Sequence, residues 1–328
     1  MWINFYRSRK KLKANSREKV SYSRQQVLKL ISLLLMTMVF VSASTPAISV
    51  TPPSVDIIAQ GYIGKTATDF LNEGLQLIQA GRLQEAINAF EKATELDSRL
   101  AAAHYNLGLA LRQAGQLQPA ANAFYRATQE NPRFSLAYAN LGGALLEGNN
   151  WQLANDYLQR AIEIEPKLGI AHYNLGLLQQ QQRQCDRAIE SFKKAQEFSK
   201  NAPESAYHMG ICYLQQDKLD KAKDSFRKAA KINPRYTEAH YNLGMVLFQQ
   251  RKFPDALDAF RKSAESNPNY PNAYYGAGLT FMQMNRNSDA AQVFEHARNL
   301  YASQNNPEWS QKSQQMLQQI QALNSQPR

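Results

Sequence analysis

Four groups of residues in this 328-residue chain have types and spacings that could do chemistry. Ala59-Gln60-Gly61-Tyr62-Ile63-Gly64-Lys65-Thr66 has the spacing of a phosphate-binding loop, with alanine for its first glycine. Such a loop wraps backbone N–H groups around phosphates, but it works at the end of a strand with a metal-holding acid on another strand. No second strand follows here, so the stretch is read as lacking that function. His104, His172 and His240 recur at equal spacing. On packed helices they would stand about 20 Å apart, beyond a shared metal's reach, and they read as half-buried packing residues. His208 and Cys212 are four apart and could face one ion, yet the only third ligand in prospect is His240. Cys185 and Cys212 fall on segments expected to run antiparallel. A disulfide is conceivable in an exported chain, and burial as two thiols is the commoner outcome. With no nucleophile elbow, paired-carboxylate motif or dinucleotide fingerprint, the chain reads as a non-enzyme needing no metal or cofactor.

Residues placed at one fixed interval must be positioned by a repeated element. His104-Tyr105-Asn106-Leu107-Gly108 recurs unchanged at 172–176 and 240–244. Steps of 34 from Gly74 reach Gly108, Gly142, Gly176, Gly210, Gly244 and Gly278 without an insertion or deletion. The same steps run from Ala86 to Ala290, and from Phe90 to Phe294 with Leu158 as the one substitute. Within each period apolar residues fall three and four apart in two runs, separated by a short polar turn such as Ala80-Gly81-Arg82. That is a helical hairpin. The glycine and the alanine are expected where its helices approach closely, and the phenylalanine between one hairpin and the next. Asn131-Pro132, Glu165-Pro166, Asn233-Pro234 and Asn267-Pro268 should end second helices, because proline has no amide hydrogen and restricts its predecessor.

The pattern resembles the tetratricopeptide repeat over residues 67–304. The resemblance implies an all-α, right-handed superhelical solenoid of seven 34-residue hairpins: 67–100, 101–134, 135–168, 169–202, 203–236, 237–270 and 271–304. Residues 305–328 hold Trp309, Met316, Leu317, Ile320 and Leu323 at helical spacing, which suits a capping helix over the last hydrophobic face; a partner-binding helix is the other reading. In the resembled family, positions 2, 5, 6, 9, 12 and 13 of each first helix commonly line the concave surface. Position 6 is Asn72, Asn106, Asn140, Asn174 and Asn242, interrupted by His208 and ended by Gly276. Position 5 is Tyr105, Tyr173, Tyr207, Tyr241 and Tyr275, with Leu71 and Ala139 in the other repeats. Position 9 is apolar except at Gly143, and position 13 is glutamine except at Glu147.

An asparagine amide donates and accepts together, so one per hairpin could hold an extended peptide without reading its side chains. The arrangement is similar to the asparagine ladder of protein O-linked N-acetylglucosamine transferases. Clamps for peptide carboxylates use lysine at position 5, and none stands there. The expected groove is uncharged and takes an extended, partly apolar polypeptide segment. The plainer alternative is that the asparagines and tyrosines only pack neighbouring hairpins.

The formal charge of +11 belongs to the leader. Residues 1–29 carry nine of the 38 basic side chains and one acid, Glu18. The remainder is nearly balanced, which excludes a large phosphate-binding face and with it a nucleic-acid partner. The apolar run at 30–41 follows, within a segment 30–50, and then a linker at 51–66 with Pro52, Pro53, Gly61 and Gly64. A basic flank, an apolar run and small residues read as a secretory signal cut after Ala43; an uncleaved membrane anchor is the competing reading. Either one exports the repeats, to a periplasm or to the extracytoplasmic side of a membrane. The sequence therefore points to a non-catalytic scaffold that binds proteins or extended peptides there and mediates complex assembly. A substrate-delivery subunit of an enzyme such as a glycosyltransferase, and a carbohydrate-binding envelope protein, are the alternatives.

Overall fold

The structure, a computed structural model, describes residues 64–325. The basic leader, the apolar segment, most of the linker and residues 59–63 of the phosphate-loop-like stretch lie outside the described residues. Every regular element among the described residues is a helix. They divide into two compact units, one ending at His208 and the other beginning at Met209.

The first unit holds four hairpins. They are α1 (Ala67–Gln79) with α2 (Leu83–Leu96), α3 (Ala101–Gln113) with α4 (Leu117–Glu130), α5 (Ser135–Glu147) with α6 (Trp151–Ile164), and α7 (Gly169–Gln181) with α8 (Cys185–Phe198). The unit boundary falls inside α9 (Pro203–Gln215). The second unit continues with α10 (Leu219–Ile232), α11 (Thr237–Gln249), α12 (Phe253–Ser266), α13 (Pro271–Gln283), α14 (Asn287–Ser303) and α15 (Pro307–Ser325). Within each unit, consecutive helices pack as pairs, and each second helix packs on the first helix of the next hairpin. Cys185 and Cys212 are each buried, one in each unit.

Local chemistry sets the helix ends. Thr66 and Asp69 form a capping box that opens α1: the Thr66 hydroxyl accepts from the Asp69 amide at 3.2 Å, and the Asp69 carboxylate accepts from the Thr66 amide at 2.7 Å. Thr66 and Lys65, the two chemical residues of the phosphate-loop-like stretch, are thereby used for structure, since Lys65 pairs with Glu73 at 3.1 Å. The second helices stop where Asn131, Glu165, Asn233 and Asn267 precede proline. Three of those asparagines accept a hydrogen bond from the amide two residues on, closing the turn. Each hairpin's own turn puts position 15 in the left-handed region. Gly81 and Gly115 serve there first, and Asn149, Arg183, Asp217, Arg251 and Asn285 follow at φ between 56° and 60°.

The nearest neighbour of the repeated glycine is the phenylalanine ring. A Cβ on Gly74, Gly108, Gly176, Gly210, Gly244 or Gly278 would come within 2.4–2.7 Å of the phenylalanine ring of the same hairpin. Glycine is therefore the socket for phenylalanine, and the fully buried Ala86-to-Ala290 series lines the second helix one turn earlier. At Gly142, where Leu158 replaces the ring, second-helix backbone is also close, with the Ala154 oxygen 3.2 Å from such a Cβ. The ring also reaches the next hairpin at Gly276, whose Cβ would meet Phe260 at 2.7 Å. Phe260 thus sits between Gly244 and Gly276.

The helix α15 closes the second unit. Trp309 is buried, edge-on to Tyr275 at 5.3 Å and stacked on Tyr301 at 5.8 Å, and Ile320 is buried with it. Of the residues expected to cap the repeats, Trp309 and Ile320 join the buried cluster and Met316 and Leu317 pack against it.

Candidate functional site

The candidate site is built from positions 5 and 6 of the first helices, and the structure shows that they act as pairs across neighbouring hairpins. The tyrosine rings lean on the core phenylalanine of their own hairpin, with centroids 5.9 Å apart for Tyr105–Phe124, Tyr173–Phe192 and Tyr241–Phe260, and 5.2 Å for Tyr275–Phe294. That contact fixes the ring and leaves the hydroxyl to reach forward. Asn140 donates its amide to the Tyr105 hydroxyl at 3.3 Å, one repeat behind it. Asn174 has Ala139 behind it, so its amide reaches the Ala139 carbonyl at 3.1 Å, and a Cβ on Gly143 would block it at 2.9 Å. In repeat five His208 takes the place of asparagine and stands 5.8 Å from the Tyr173 ring.

Asn72 is exposed, and Tyr105, Asn106 and Tyr173 are half-buried. Asn140, Asn174, Asn242, Tyr207, Tyr241 and Tyr275 are buried. The amide donors of Asn106, Asn140 and Asn242 each bond a carbonyl four residues back on their own helix. These asparagines therefore clasp helices with their N–H groups. Asn72 and the outer edges of Tyr105, Asn106 and Tyr173 are what this register presents to solvent.

The exposed apolar side chains on first helices are Leu75 and Leu109 at position 9, Ile78 at position 12 and Leu136 at position 2. All four belong to the first unit. The groove register is not free of charge, contrary to the sequence expectation: Glu147 at position 13 pairs with Arg112 at position 12 of the preceding repeat, which accounts for the single break in the glutamine series. Glu204 stands exposed at position 2 of α9. Burial pushes the Tyr173 phenol up to about 12, with the Glu204 carboxylate adding to the effect and Arg112 opposing it.

His208 lies in an aromatic box. Its ring stacks on Phe192 at 5.5 Å and 22°, and Tyr173 and Tyr207 meet it edge-on. Nδ1 is 2.9 Å from the Gln180 side-chain oxygen, an acceptor, so Nδ1 carries the proton. Desolvation holds the imidazole pKa down to about 4, so the ring is neutral at pH 7 and Nε2 is a lone-pair acceptor.

The histidines at position 4 have a different task. Nε2 of His104, His172 and His240 lies 2.8–2.9 Å from the carbonyls of Ser98, Pro166 and Pro234, six residues back, and the Tyr274 hydroxyl donates to Pro268 in the same way. A carbonyl only accepts, so these rings are donors that lace the inter-hairpin turn. They are packing residues as expected; the constant interval to the turn was the signal for the bond. Among the described residues no group of three or more His, Cys, Asp or Glu could hold a metal, and no helix is long and apolar enough to cross a membrane.

Comparison with known proteins follows the same repeat. Family models described as tetratricopeptide repeat match residues 101–134 and, in overlapping segments, 120–307, and one described as TPR repeat matches 74–115. No curated protein matches the chain significantly. Among solved structures, the chain is similar to one in the APC/C hetero-tetramer Cut9–Hcn1 (TM-score 0.60, 19% identity, 69% of this chain and 45% of that one). It is also similar to pilF of Pseudomonas aeruginosa (TM-score 0.55, 20% identity, 63% and 94%) and to a tetratricopeptide repeat protein of Parabacteroides merdae (TM-score 0.54, 18% identity, 79% and 100%). The chain spans under half the length of the first of these. At such identities the likeness is one of fold.

Proposed function

The chain belongs to the tetratricopeptide repeat family, and from that premise we propose that it is a non-catalytic scaffold. It binds a polypeptide segment along the first-helix face of residues 64–208 and brings the partner into a larger assembly on the extracytoplasmic side of a membrane. The observation that carries the binding role is the exposure of Leu75, Ile78, Leu109 and Leu136 at groove-register positions, beside the tyrosine and asparagine edges. Apolar side chains left open on one face gain free energy when a partner covers them, about 25 cal/mol for each Å². The extracytoplasmic placement is supported by the basic flank and apolar run of residues 7–41.

Site-specific photocrosslinking in the full chain tests the binding role. A crosslinker at Leu109 or Leu136 should capture one partner polypeptide, and one at Leu153 on the second-helix side should not. Equal capture from both faces would overturn the reading. A carboxyl-terminal alkaline phosphatase fusion should be active if the repeats are exported, and inactive if they stay in the cytosol.

A further inference from the structure

The residues around His208 share one chemical preference, and the asparagine register does not account for it. Glu204 and His208 are one turn apart on α9, so both project from the same face. Tyr173 of α7 stands beside them: its ring is 5.8 Å from His208, and the Glu204 carboxylate is near enough to act on its hydroxyl. The His208 Nδ1 proton is engaged by Gln180, and Nε2 makes no hydrogen bond with any described residue. Glu204 has no ion pair among the described residues, whereas the nearby Arg112 is neutralised by Glu147. Ile170 and Leu177, three residues before and four after Tyr173, are half-buried on the same face.

This set comprises a carboxylate, a bare nitrogen acceptor, an aromatic ring and two aliphatic side chains. It offers acceptors and negative charge and presents no unpaired cation. A ligand group that fits must donate hydrogen bonds, carry positive charge and follow an apolar stem. We propose that Glu204, Tyr173 and His208 form a subsite for a lysine or arginine side chain of the bound polypeptide, whose stem lies on Ile170 and Leu177. The inference rests on the peptide-binding reading above and sharpens it. It reverses the polarity of a carboxylate clamp, so the groove selects a basic residue and rejects an acidic one. Desolvated cation–aromatic and charge-assisted contacts of this kind favour the matching side chain several-fold.

The test uses the full-length chain and fluorescent 12-residue peptides of one leucine- and asparagine-rich sequence. A single central residue is lysine, Nε-acetyl-lysine, norleucine or glutamate. The lysine peptide should bind at least fivefold more tightly than the acetyl-lysine and norleucine peptides, and the glutamate peptide most weakly. Glu204→Gln and His208→Asn should each reduce the lysine preference to within twofold while circular dichroism and melting at pH 7 remain those of the native chain. Glu190→Gln on α8 should leave the preference intact. Peptides that all bind with one affinity would overturn the subsite and leave the scaffold reading standing. Failure of every peptide to bind would overturn both. A lysine preference that survives Glu204→Gln combined with His208→Asn would place the basic group elsewhere and overturn the assignment.

Discussion

The first two hairpins and the last two treat one register position in opposite ways. At position 9, Leu75 and Leu109 of the first unit are 38% and 36% exposed, whereas Met245 and Leu279 of the second are 5% and 6% exposed. Position 12 repeats the contrast between the ends of the array, with Ile78 exposed and Phe248 and Met282 buried, while Leu146 of the third hairpin is buried as well. In the second unit these side chains belong to one hydrophobic cluster that runs from Tyr241 to Ile320 and takes in Trp309. The repeat fixes where a backbone goes; the side chains at its variable positions decide whether a face is core or surface. The last two hairpins turn these positions into core, and the first two keep apolar groups open.

The contrast can be broken at its strongest point. Trp309→Ala removes the ring on which Tyr275 and Tyr301 close, and should cost the second unit about 3–5 kcal/mol. Urea unfolding followed by tyrosine fluorescence should then show the second unit melting first; an unshifted midpoint would deny it the cohesive role.

Acidification should act on the first unit. His208 is held neutral by burial, at about 4 against an ordinary 6.5. The stability this gives is complete above about pH 6.5 and is lost as pH falls towards 4, by on the order of 3 kcal/mol at most. His208→Asn should remove that part of the acid dependence, read as the difference between the melting temperatures of the two proteins at pH 7 and pH 4.5.

Restoring the ladder where it stops should be harmful. Gly276→Asn drives a side chain into Phe260, and Gly176→Ala drives a methyl into Phe192; each should cost about 1–3 kcal/mol in chemical denaturation. A smaller change of opposite sign is expected at Arg183, whose φ of 60° suits glycine. Arg183→Gly should stabilise the first unit by about 0.5–1 kcal/mol. Least of all, Leu75→Ser with Leu109→Ser should alter stability by no more than about 0.5 kcal/mol per site while abolishing partner crosslinking. That last pair sharpens the comparison, because the equivalent Met245→Ser and Leu279→Ser should unfold the second unit.

The repeat and its hairpins were legible because the same core contact is made in every period, so Gly74, Ala86 and Phe90 recur with their register intact. That the phenylalanine ring fills the space beside the glycine was not legible, because spacing identifies buried positions without saying which side chain lies nearest. The asparagines were legible as a series, but their bonds were not. Where Asn140 and Asn174 point depends on whether tyrosine or alanine stands one repeat behind, which is a relation between hairpins. Gly276 ends the asparagine series in the sequence, and its closeness to the Phe260 ring appears only in the structure. Arg183 and Arg251 gave no turn signal of their own, since the hairpin imposes the left-handed conformation on whatever residue falls at that position. The subsite around His208 was hidden for the same reason as the asparagine bonds: Tyr173 and Glu204 lie in different repeats and come together only in space.

A string of near-identical hairpins carries no instruction to stop, because the surface that each one leaves uncovered is the surface on which the next is seated. In α14 that surface is met by α15 of the same molecule, with Trp309 at its centre. The indole therefore keeps shut an apolar seat at the end of the second unit, which displacing α15 would open to any other apolar helix face.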